Sequence, residues 1–252
     1  MKAFDLSDKV AIVTGSSRGI GHSIAEHLAA AGARVVVTSR SAQACDEVAG
    51  KIRAAGGRAM AIPANISRKS ELEVMVRRTT DEWGPVDILV ANAATNPYYG
   101  PMAGASDEVF EKVMRNNVQS NMWLANMVLP GMAEQRDGAV IFVGSIGGYR
   151  GRAELGIYGM SKAAEMQMAR CMALEWGPYN IRVNCIAPGL IRTDFSRAIW
   201  ESPKLLAERE QALPLGRIGE PDDIGGIAAM LASRAGAFIT GQIITVDGGE
   251  TV

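Results

Sequence analysis

The chain has 252 residues, enough for one large α/β domain with a substantial core or for two small domains. Its 26 basic and 27 acidic residues leave a formal net charge of -1, so no overall field favours nucleic acid or an anionic membrane surface. No stretch reaches the roughly 20 apolar residues that a membrane-spanning helix needs. We therefore predict a soluble protein whose partner is a small molecule, with no nucleic-acid or membrane partner.

Seven short apolar runs alternate with longer segments of helical periodicity. The runs have four or five residues and no period-two alternation, which is typical of strands covered on both faces. These predicted strands are Val10–Thr14, Val35–Thr38, Ala59–Ile62, Ile88–Ala91, Val140–Val143, Val183–Ile186 and Ile243–Val246. The main predicted helices between them are His22–Ala31, Ala44–Ala55, Glu71–Trp83, Val109–Ala133 and Tyr158–Trp176. This order predicts an α/β protein with a Rossmann fold, a doubly wound seven-stranded parallel sheet with helices on both faces.

No linker, repeat or low-complexity tract divides the chain, and we predict one dinucleotide-binding and catalytic domain over residues 1–252. Residues 192–215 depart from the alternation of strand and helix. As an insertion after a late strand, this stretch is either a surface helical hairpin or a lid over the substrate.

The cysteines and histidines lack the spacing of a disulfide framework or of a zinc site. Cys45, Cys171 and Cys185 are an odd set, and the last two lie among apolar residues, which favours small buried thiols over nucleophiles. His22 and His27 have no companion at metal-ligand spacing. We predict no metal site and a reducing, cytoplasmic location.

A glycine-rich turn follows the first predicted strand, where residues 14–21 read TGSSRGIG, and a helix then begins. Glycines at 15, 19 and 21 allow a tight turn and let backbone amides approach a pyrophosphate at the positive end of that helix. The spacing G-x-x-x-G-x-G after a threonine resembles that of the short-chain dehydrogenase/reductase family. The resemblance extends from about Leu6 to Gly249, because the later motifs follow in the order of that family.

The end of the second strand predicts which nicotinamide cofactor is bound. An NAD-binding protein usually carries an acid there, which accepts hydrogen bonds from the ribose and repels a phosphate. Here the sequence is Thr38-Ser39-Arg40, and the guanidinium groups of Arg40 and Arg18 match phosphate oxygens. We predict NADP(H), and in the resembled family these two arginine positions mark a preference for NADP.

Further cofactor contacts are implied by the resemblance. Asn65 occupies the place of an aspartate beside the adenine, Asn92 begins a motif that holds a strand end, and residues 188–193 match the loop around the nicotinamide carboxamide. The predicted cofactor-binding residues are Gly15, Ser17, Arg18, Gly19, Ile20, Gly21, Ser39, Arg40, Asn65, Ile66, Asn92, Ala93, Tyr158, Lys162, Pro188, Gly189, Ile191 and Thr193.

Four residues resemble the catalytic tetrad of the family. Tyr158 and Lys162 are four residues apart and share one helix face, Ser145 lies 13 residues before the tyrosine, and Asn117 follows Asn116 in the fourth helix. Hydride delivery to a carbonyl leaves negative charge on oxygen, and Tyr158 can donate the proton that this oxygen needs. The resemblance implies that Ser145 orients the substrate oxygen, that Lys162 binds the nicotinamide ribose, and that Asn117 holds a relay water.

Alcohol oxidation near neutral pH needs a more acidic phenol. The pKa of tyrosine is about 10, so lowering it by about three units requires roughly 4 kcal/mol of stabilisation of the phenolate. We expect the Lys162 ammonium and the positive charge of oxidised nicotinamide to provide it.

The motifs most resemble the NADPH-dependent carbonyl and retinal reductases of the dehydrogenase/reductase group, which implies a ketone, aldehyde or alcohol substrate and a homotetramer. Enoyl reductases of this fold separate the tyrosine and lysine further, which argues against double-bond reduction. One alternative is a 3-oxoacyl-[acyl-carrier-protein] reductase, which would need a basic patch. A second is a non-catalytic regulator that senses NADP(H), although a sensor has no need of Tyr158 and Lys162 at this spacing.

Three aromatic residues and two arginines are candidates for the substrate pocket. Tyr149, Phe195 and Trp200 either line an apolar pocket or pack in the core or the lid. Arg150 and Arg152 follow Ser145 and either attract an acidic substrate or lie in a solvated loop.

Overall fold

The computed structural model describes residues 2–252, so Met1 of the predicted domain lies outside the described residues. Seven parallel strands form one sheet in the order β3-β2-β1-β4-β5-β6-β7. The strands are β1 Val10–Thr14, β2 Arg34–Thr38, β3 Arg58–Ala61, β4 Ile88–Ala91, β5 Gly138–Val143, β6 Ile181–Pro188 and β7 Ile243–Val246. This architecture confirms the predicted fold.

Nine α-helices in the described chain cover both faces of the sheet. They are α1 Gly19–Ala30, α2 Ala42–Ala54, α3 Lys69–Trp83, α4 Asp107–Val113, α5 Ser120–Gln135, α6 Gly156–Trp176, α7 Arg197–Trp200, α8 Pro203–Ala212 and α9 Pro221–Ala232. Two separate apolar cores lie on the two sides, one under α1, α2 and α9 and the other under α3, α5 and α6. In β1, Val13 enters the first core and Ile12 the second. Both faces of the strand are therefore apolar, which explains its unbroken apolar run.

The helix predicted over Val109–Ala133 is not regular. The predicted helix is present, but its middle segment, Met114–Gln119, is a π-helix between α4 and α5, which the sequence analysis did not predict. A π-helical turn closes its hydrogen bonds one residue later than an α-helical turn and rotates the side chains that follow. The segment contains Asn117, which this turn buries completely.

The insertion at residues 192–215 is helical. A short 3-10 turn, Asp194–Ser196, leads into α7, and Ser202 caps the amide of Leu205 in α8. The indole of Trp200 donates to the carbonyl of Thr193 at 2.7 Å, which folds α7 back on the start of the insertion.

Cys185 is buried as predicted and Cys45 is buried too, but Cys171 is exposed. It lies on the outer face of α6, where Gln167 contacts its sulfur at 3.6 Å, so the prediction of a buried thiol was wrong there. In residues 2–252 no helix is both long and apolar enough to cross a membrane. The same residues contain no cluster of three or more His, Cys, Asp and Glu side chains that could hold a metal ion.

Helices α1 and α9 pack closely at Gly225, and this contact gives a stability test. A Cβ at Gly225 would lie 2.3 Å from His27 Nδ1 and 2.5 Å from Ser23 Oγ. Because a methyl group there forces the two helices apart, Gly225→Ala should lower the free energy of unfolding by about 1–3 kcal/mol. The measurement is urea unfolding followed by circular dichroism.

The neighbouring Gly226 supplies the control, since a Cβ there meets no heavy atom within 4 Å. Gly226→Ala should be neutral or stabilise by up to about 1 kcal/mol through its helix propensity. Equal effects of the two substitutions would contradict the proposed close contact.

Candidate active site

The predicted site residues lie at the carboxyl ends of the parallel strands. The strand order reverses between β1 and β4, so the loops that follow these two strands leave in opposite directions and open a crevice. Ligands of doubly wound sheets bind at such a reversal point.

The glycine turn between β1 and α1 leaves room for an anion. Gly15 has a φ of +66°, in the left-handed region, and a Cβ at Gly21 would lie 2.4 Å from Asn92 Nδ2. Helix α1 begins at Gly19, with no side-chain cap from Arg18 and no acid in its first turn. The first backbone amides of a helix have no acceptor within it, so this cradle fits a pyrophosphate.

Asn92 joins the ends of β4 and β1. Its Nδ2 donates to the carbonyl of Thr14 at 2.8 Å, and its backbone amide donates to the Thr14 hydroxyl at 2.9 Å. The amide of Ala93 donates to the same hydroxyl at 3.0 Å. Asn92 therefore has the strand-joining geometry that the resemblance implied.

Sequence reasoning missed Ser16, which joins the turn to β2. The Ser16 hydroxyl donates to the carbonyl of Val13 at 2.6 Å and accepts from the amide of Thr38 at 2.9 Å. Its side chain is buried, whereas its neighbour Ser17 is partly exposed. Nothing in the sequence distinguishes the two serines, because burial depends on which side of the turn faces β2.

The residues predicted to contact the adenosine end of the cofactor are more exposed to solvent than the residues of the glycine turn. Ser39 is partly buried and contacts the Cys45 sulfur at 3.2 Å, whereas Arg40 is exposed and forms no ion pair with any described residue. Arg18 is also exposed, but it forms an ion pair with Asp194 of the insertion at 3.0 Å.

Asn65 uses its side-chain oxygen in its own turn, where it accepts from the amide of Ser67 at 3.1 Å and from the Ser67 hydroxyl at 2.9 Å. Ile66 is partly buried against the second core. The oxygen expected to contact the adenine therefore already has two donors.

Three members of the predicted tetrad meet at the ends of β5 and α6. Lys162 Nζ lies 5.6 Å from the centroid of the Tyr158 ring. The Ser145 hydroxyl accepts from the amide of Gly147 at 3.1 Å. A Cβ built at Gly147 would lie 3.4 Å from Ser145 Oγ and 3.9 Å from Tyr158 Cε1, so the two side chains flank the same glycine. Tyr158 and Lys162 thus share one face of α6, as their spacing predicted, and Ser145 reaches them from the end of β5.

Asn117 supports this group from the π-helical segment. Its Oδ1 accepts from the amide of Thr95 at 2.8 Å, and its Nδ2 donates to the Thr95 carbonyl and to Ser161 Oγ, both at 3.0 Å. Its backbone carbonyl accepts from Asn121 Nδ2 at 2.7 Å. The side chain is thus fully used in joining the loop after β4 to α6.

Lys162 has a partner that the sequence analysis did not identify. Its ammonium donates to the Val143 carbonyl at 2.9 Å and to both carboxylate oxygens of Glu165, at 3.1 and 3.0 Å. The side chains are 2% and 0% exposed, so this is a fully buried ion pair. The one available signal was an acid three residues after a lysine, a spacing that brings side chains together on any helix.

The electrostatics of the phenol differ from our expectation. The Lys162 ammonium lowers the pKa of Tyr158 as expected, and so does Ser145. Burial acts more strongly in the opposite direction, Glu165 adds to it, and the pKa of Tyr158 is raised above its ordinary value of 10.0. Without the positive charge of oxidised nicotinamide, the ammonium of Lys162 does not offset these two effects, and the lowering expected with the bound cofactor stays a prediction.

The pKa values of both members of the ion pair, Lys162 and Glu165, are raised. The pKa of Lys162 is raised, because the negative charges around it, Glu165 first, outweigh the effect of burial. Burial raises the pKa of Glu165 to about 7. The ammonium is therefore held in its protonated form.

The loop after β6 reaches the glycine turn. A Cβ at Gly19 would lie 3.2 Å from Thr193 Cγ2, and a Cβ at Gly189 would lie 2.8 Å from Asp247 Cα. Ile191 is buried and pairs with Gly219 in an isolated parallel bridge. This part of the predicted nicotinamide loop thus lies between the phosphate turn and the C-terminal segment.

Phe195 is the aromatic candidate that the structure brings to the tetrad. Its ring centroid lies 5.8 Å from that of Tyr158, at an interplanar angle of 38°. Tyr149 instead faces β7, with its hydroxyl 3.5 Å from the Ile243 carbonyl, and Trp200 packs within the insertion under Arg192.

Two arginines after Ser145 line a cleft of about 390 Å³ together with Tyr99, Glu154 and Arg209. Arg150 donates to the backbone carbonyl of Glu250 at 2.7 Å, and Arg152 forms an ion pair with the carboxylate of Glu250. Both cations are therefore already bound to the C-terminal segment.

Comparison with known proteins identifies the family. A family model described as Enoyl-(Acyl carrier protein) reductase matches residues 15–251. The human protein named dehydrogenase/reductase SDR family member 2, mitochondrial, is 39% identical over 246 residues, which are 98% of this chain and 88% of the relative.

Two solved structures have the same fold. A gluconate 5-dehydrogenase from Burkholderia cenocepacia J2315 in complex with NADP and tartrate gives a TM-score of 0.94 at 29% identity, over 99% of this chain and 98% of that one. A 7 alpha-hydroxysteroid dehydrogenase complexed with NADH and 7-oxo glycochenodeoxycholic acid gives a TM-score of 0.94 at 35% identity, over 98% and 96%. With the glycine turn, the parallel sheet and the grouped Ser145, Tyr158 and Lys162, these matches show that the chain belongs to the short-chain dehydrogenase/reductase family of oxidoreductases.

Proposed function

We propose that this chain is an NADP(H)-dependent oxidoreductase that reduces a ketone or aldehyde, or oxidises the corresponding secondary alcohol, with Tyr158 as the acid and base. The observation that carries the proposal is the group at the carboxyl edge of the sheet. There Ser145 and Tyr158 flank Gly147, and the Lys162 ammonium is buried 5.6 Å from the centroid of the tyrosine ring.

The raised pKa of Tyr158 suits the reductive direction. A protonated phenol at neutral pH donates its proton to the substrate oxygen as negative charge forms there. Ser145 is positioned to hydrogen-bond the same oxygen and to orient it beside the phenol. Phe195 packs on the tyrosine ring, and the insertion that carries it acts as a lid that limits water in the site.

The cofactor supplies the hydride when it is bound. The uncapped amides of residues 19–21 would hold its pyrophosphate, and the exposed guanidinium of Arg40 would hold the 2′-phosphate. Arg18 would reach the same phosphate by leaving Asp194, since that exposed ion pair contributes little stability. Lys162 and Asn92 would lie beside the nicotinamide end of the bound cofactor.

Among the alternatives, carbonyl reduction has the best support. The family model's description names an enoyl reductase, but the spacing of four residues between Tyr158 and Lys162 resembles that of the carbonyl reductases. A 3-oxoacyl-[acyl-carrier-protein] reductase would need a basic patch, whereas the 26 basic and 27 acidic residues of the chain are balanced and Arg152 is paired with the carboxylate of Glu250. A non-catalytic NADP(H) sensor gives no reason for the buried ammonium beside a phenol.

We also propose that the protein assembles as a homotetramer and that it is located in the cytoplasm. The apolar side chains of Phe238 and Leu174 are almost fully exposed in the single chain, and the Asp247–Gly249 motif resembles one that usually lies at a subunit interface in this family. Three free cysteines are consistent with a reducing compartment.

Replacement of the phenol tests the mechanism. Tyr158→Phe removes the proton donor but keeps the ring, so NADPH binding should persist while carbonyl reduction falls by at least roughly 100-fold. The measurement is NADPH absorbance with a panel of ketones, aldehydes, quinones and acetoacetyl thioesters, and binding is followed by NADPH fluorescence. Tyr149→Phe is the control, and unchanged turnover in Tyr158→Phe would refute the proposed role.

Replacement of Arg40 tests the cofactor preference. Arg40→Ala removes charge-assisted hydrogen bonds to the 2′-phosphate, each worth about 1.5–3 kcal/mol, so the KM for NADPH should rise roughly 10- to 100-fold. The KM for NADH should change little, because NADH lacks that phosphate. Arg58→Ala, at the amino end of β3, is the matched control. An equal rise for both cofactors would show that Arg40 does not read the phosphate.

Replacement of Phe238 tests the assembly. Because a carboxylate in a desolvated apolar contact is costly, Phe238→Asp should reduce the particle mass measured by light scattering after gel filtration. Val74→Asp on α3, also at an exposed apolar position, should leave the mass unchanged. A wild-type monomer, or an unchanged mass in Phe238→Asp, would count against this interface.

A further inference from the structure

A charged cleft lies beside the proposed active site, and the proposed mechanism gives it no role. Its volume is about 390 Å³. The charged side chains that line it are three arginines and two glutamates, namely Arg150, Arg152, Arg209, Glu154 and Glu250. Guanidinium groups match the planar geometry of carboxylates, so this lining suits a ligand that carries an anionic group.

The cleft adjoins Tyr158 at the start of α6. Glu154 and Leu155 line the cleft, and the same two residues line a second, narrower cavity whose wall includes Tyr158. The amide of Gly159 donates to the Leu155 carbonyl at 2.8 Å, so Leu155 lies about one helical turn before the tyrosine. An anionic group in the cleft can therefore belong to a molecule whose carbonyl lies beside the phenol, several bonds away.

The insertion at residues 192–215 borders both places. Phe195, near its start, packs on the Tyr158 ring with the two ring centroids 5.8 Å apart. Arg209 lies on α8 of the same insertion and lines the cleft. The segment proposed as a lid therefore brings an aromatic ring to the reacting end of the site and a cation to the cleft.

The three arginines differ in how their charges are compensated. Arg152 forms an ion pair with the carboxylate of Glu250, whereas Arg150 donates to the neutral backbone carbonyl of Glu250 at 2.7 Å. Arg209 is exposed and forms no ion pair with any residue in the described range 2–252. Arg209 is therefore the cation of the cleft whose charge is available to a ligand.

The charge balance of the lining favours a ligand with one negative charge. Three cations face two carboxylates, which leaves an excess of one positive charge. Glu208 and Glu210 adjoin Arg209 on α8 but do not line the cleft, since adjacent helix residues point in different directions. A phosphate monoester carries about 1.5 to 2 negative charges at neutral pH, and the two glutamates would repel it more strongly than a carboxylate.

We propose that the substrate is a ketone or aldehyde that also carries a carboxylate, and that the Arg209 guanidinium binds this carboxylate in the cleft while the carbonyl lies at Tyr158. This inference rests on the proposed function, because it names the substrate class of the same site. Arg152 contributes less, because Glu250 already compensates its charge. A cleft of this volume holds a small molecule and not a folded carrier protein.

Matched pairs of acids and esters test the proposal. The acids 4-oxopentanoate, 5-oxohexanoate and 7-oxooctanoate place a carboxylate at increasing distances from a methyl ketone, and each is compared with its uncharged methyl ester. The reduction of each compound is followed by NADPH absorbance at neutral pH. For the acid of the best-fitting length, kcat/KM should exceed that of its ester by roughly 10-fold or more, and added salt should reduce this preference.

Two substitutions in the cleft should change this preference in opposite directions. Arg209→Gln should lower kcat/KM for the preferred acid roughly 10-fold more than for its ester, mainly through KM, because the guanidinium does not touch the reacting carbonyl. Glu250→Gln removes the partner of Arg152 and should increase the preference for the acid. Lys204→Gln removes an exposed charge from α8 outside the cleft and should leave the preference as it is in the wild-type protein.

Three results would overturn the inference: no preference for any acid over its ester, equal losses for acid and ester in Arg209→Gln, or the same loss of preference in Lys204→Gln. The wild-type comparison decides the matter even if a variant fails to fold. If the protein reduces neutral ketones and prefers no acid, the proposed function stands and this inference fails.

A binding measurement covers the case in which the protein reduces no carbonyl and the proposed function fails. Calorimetry then compares hexanoate with the uncharged hexanamide in the wild-type protein and in Arg209→Gln. Hexanoate should bind more tightly than hexanamide, and the substitution should remove the difference. Equal binding of the two compounds to the wild-type protein would show that the cleft does not recognise a carboxylate.

Discussion

Parallel pairing of seven strands brings all of their carboxyl ends to one edge of the sheet, and the whole candidate site depends on that constraint. Thr14 and Asn92 are far apart in the chain, yet they are hydrogen-bonded because β1 and β4 are neighbours at the point where the strand order reverses. Ser145 and the loop after β6 reach the same edge from the next two strands. The glycine turn and the proposed acid therefore face one crevice.

The second requirement is to satisfy a buried ammonium. Lys162 is almost completely removed from water, so its charge must be compensated by protein atoms. The Val143 carbonyl and the Glu165 carboxylate do this, and the result is a nearly neutral pair beside Tyr158. A lone ammonium would favour the phenolate, whereas this pair together with burial favours the phenol. The carboxylate beside the lysine thus opposes the effect of the ammonium on the pKa of Tyr158.

Much of the fold and part of the site were predictable, because their signals are local. Continuous apolar runs indicated strands buried on both faces, and the buried residues of β1 and β5 show why. The spacing of Tyr158 and Lys162 indicated one helix face. The π-helical segment at Asn117 gave no such signal, since it is held by hydrogen bonds to Thr95 and Ser161 in other parts of the fold. Burial of Cys171 was misjudged, because apolar neighbours in sequence do not fix which face of α6 a residue occupies.

By itself, the sequence determined the order of strands and helices, the glycine turn and the candidate catalytic residues, because these depend on periodicity and on spacing along the chain. Only the tertiary structure decided that Arg18 contacts Asp194, that Phe195 packs on Tyr158, and that Glu165 and Asn121 share the buried volume around Lys162. The physical reason is that interactions between charges in a protein interior depend on distance and on the exclusion of water. Neither quantity is contained in a linear pattern of residues.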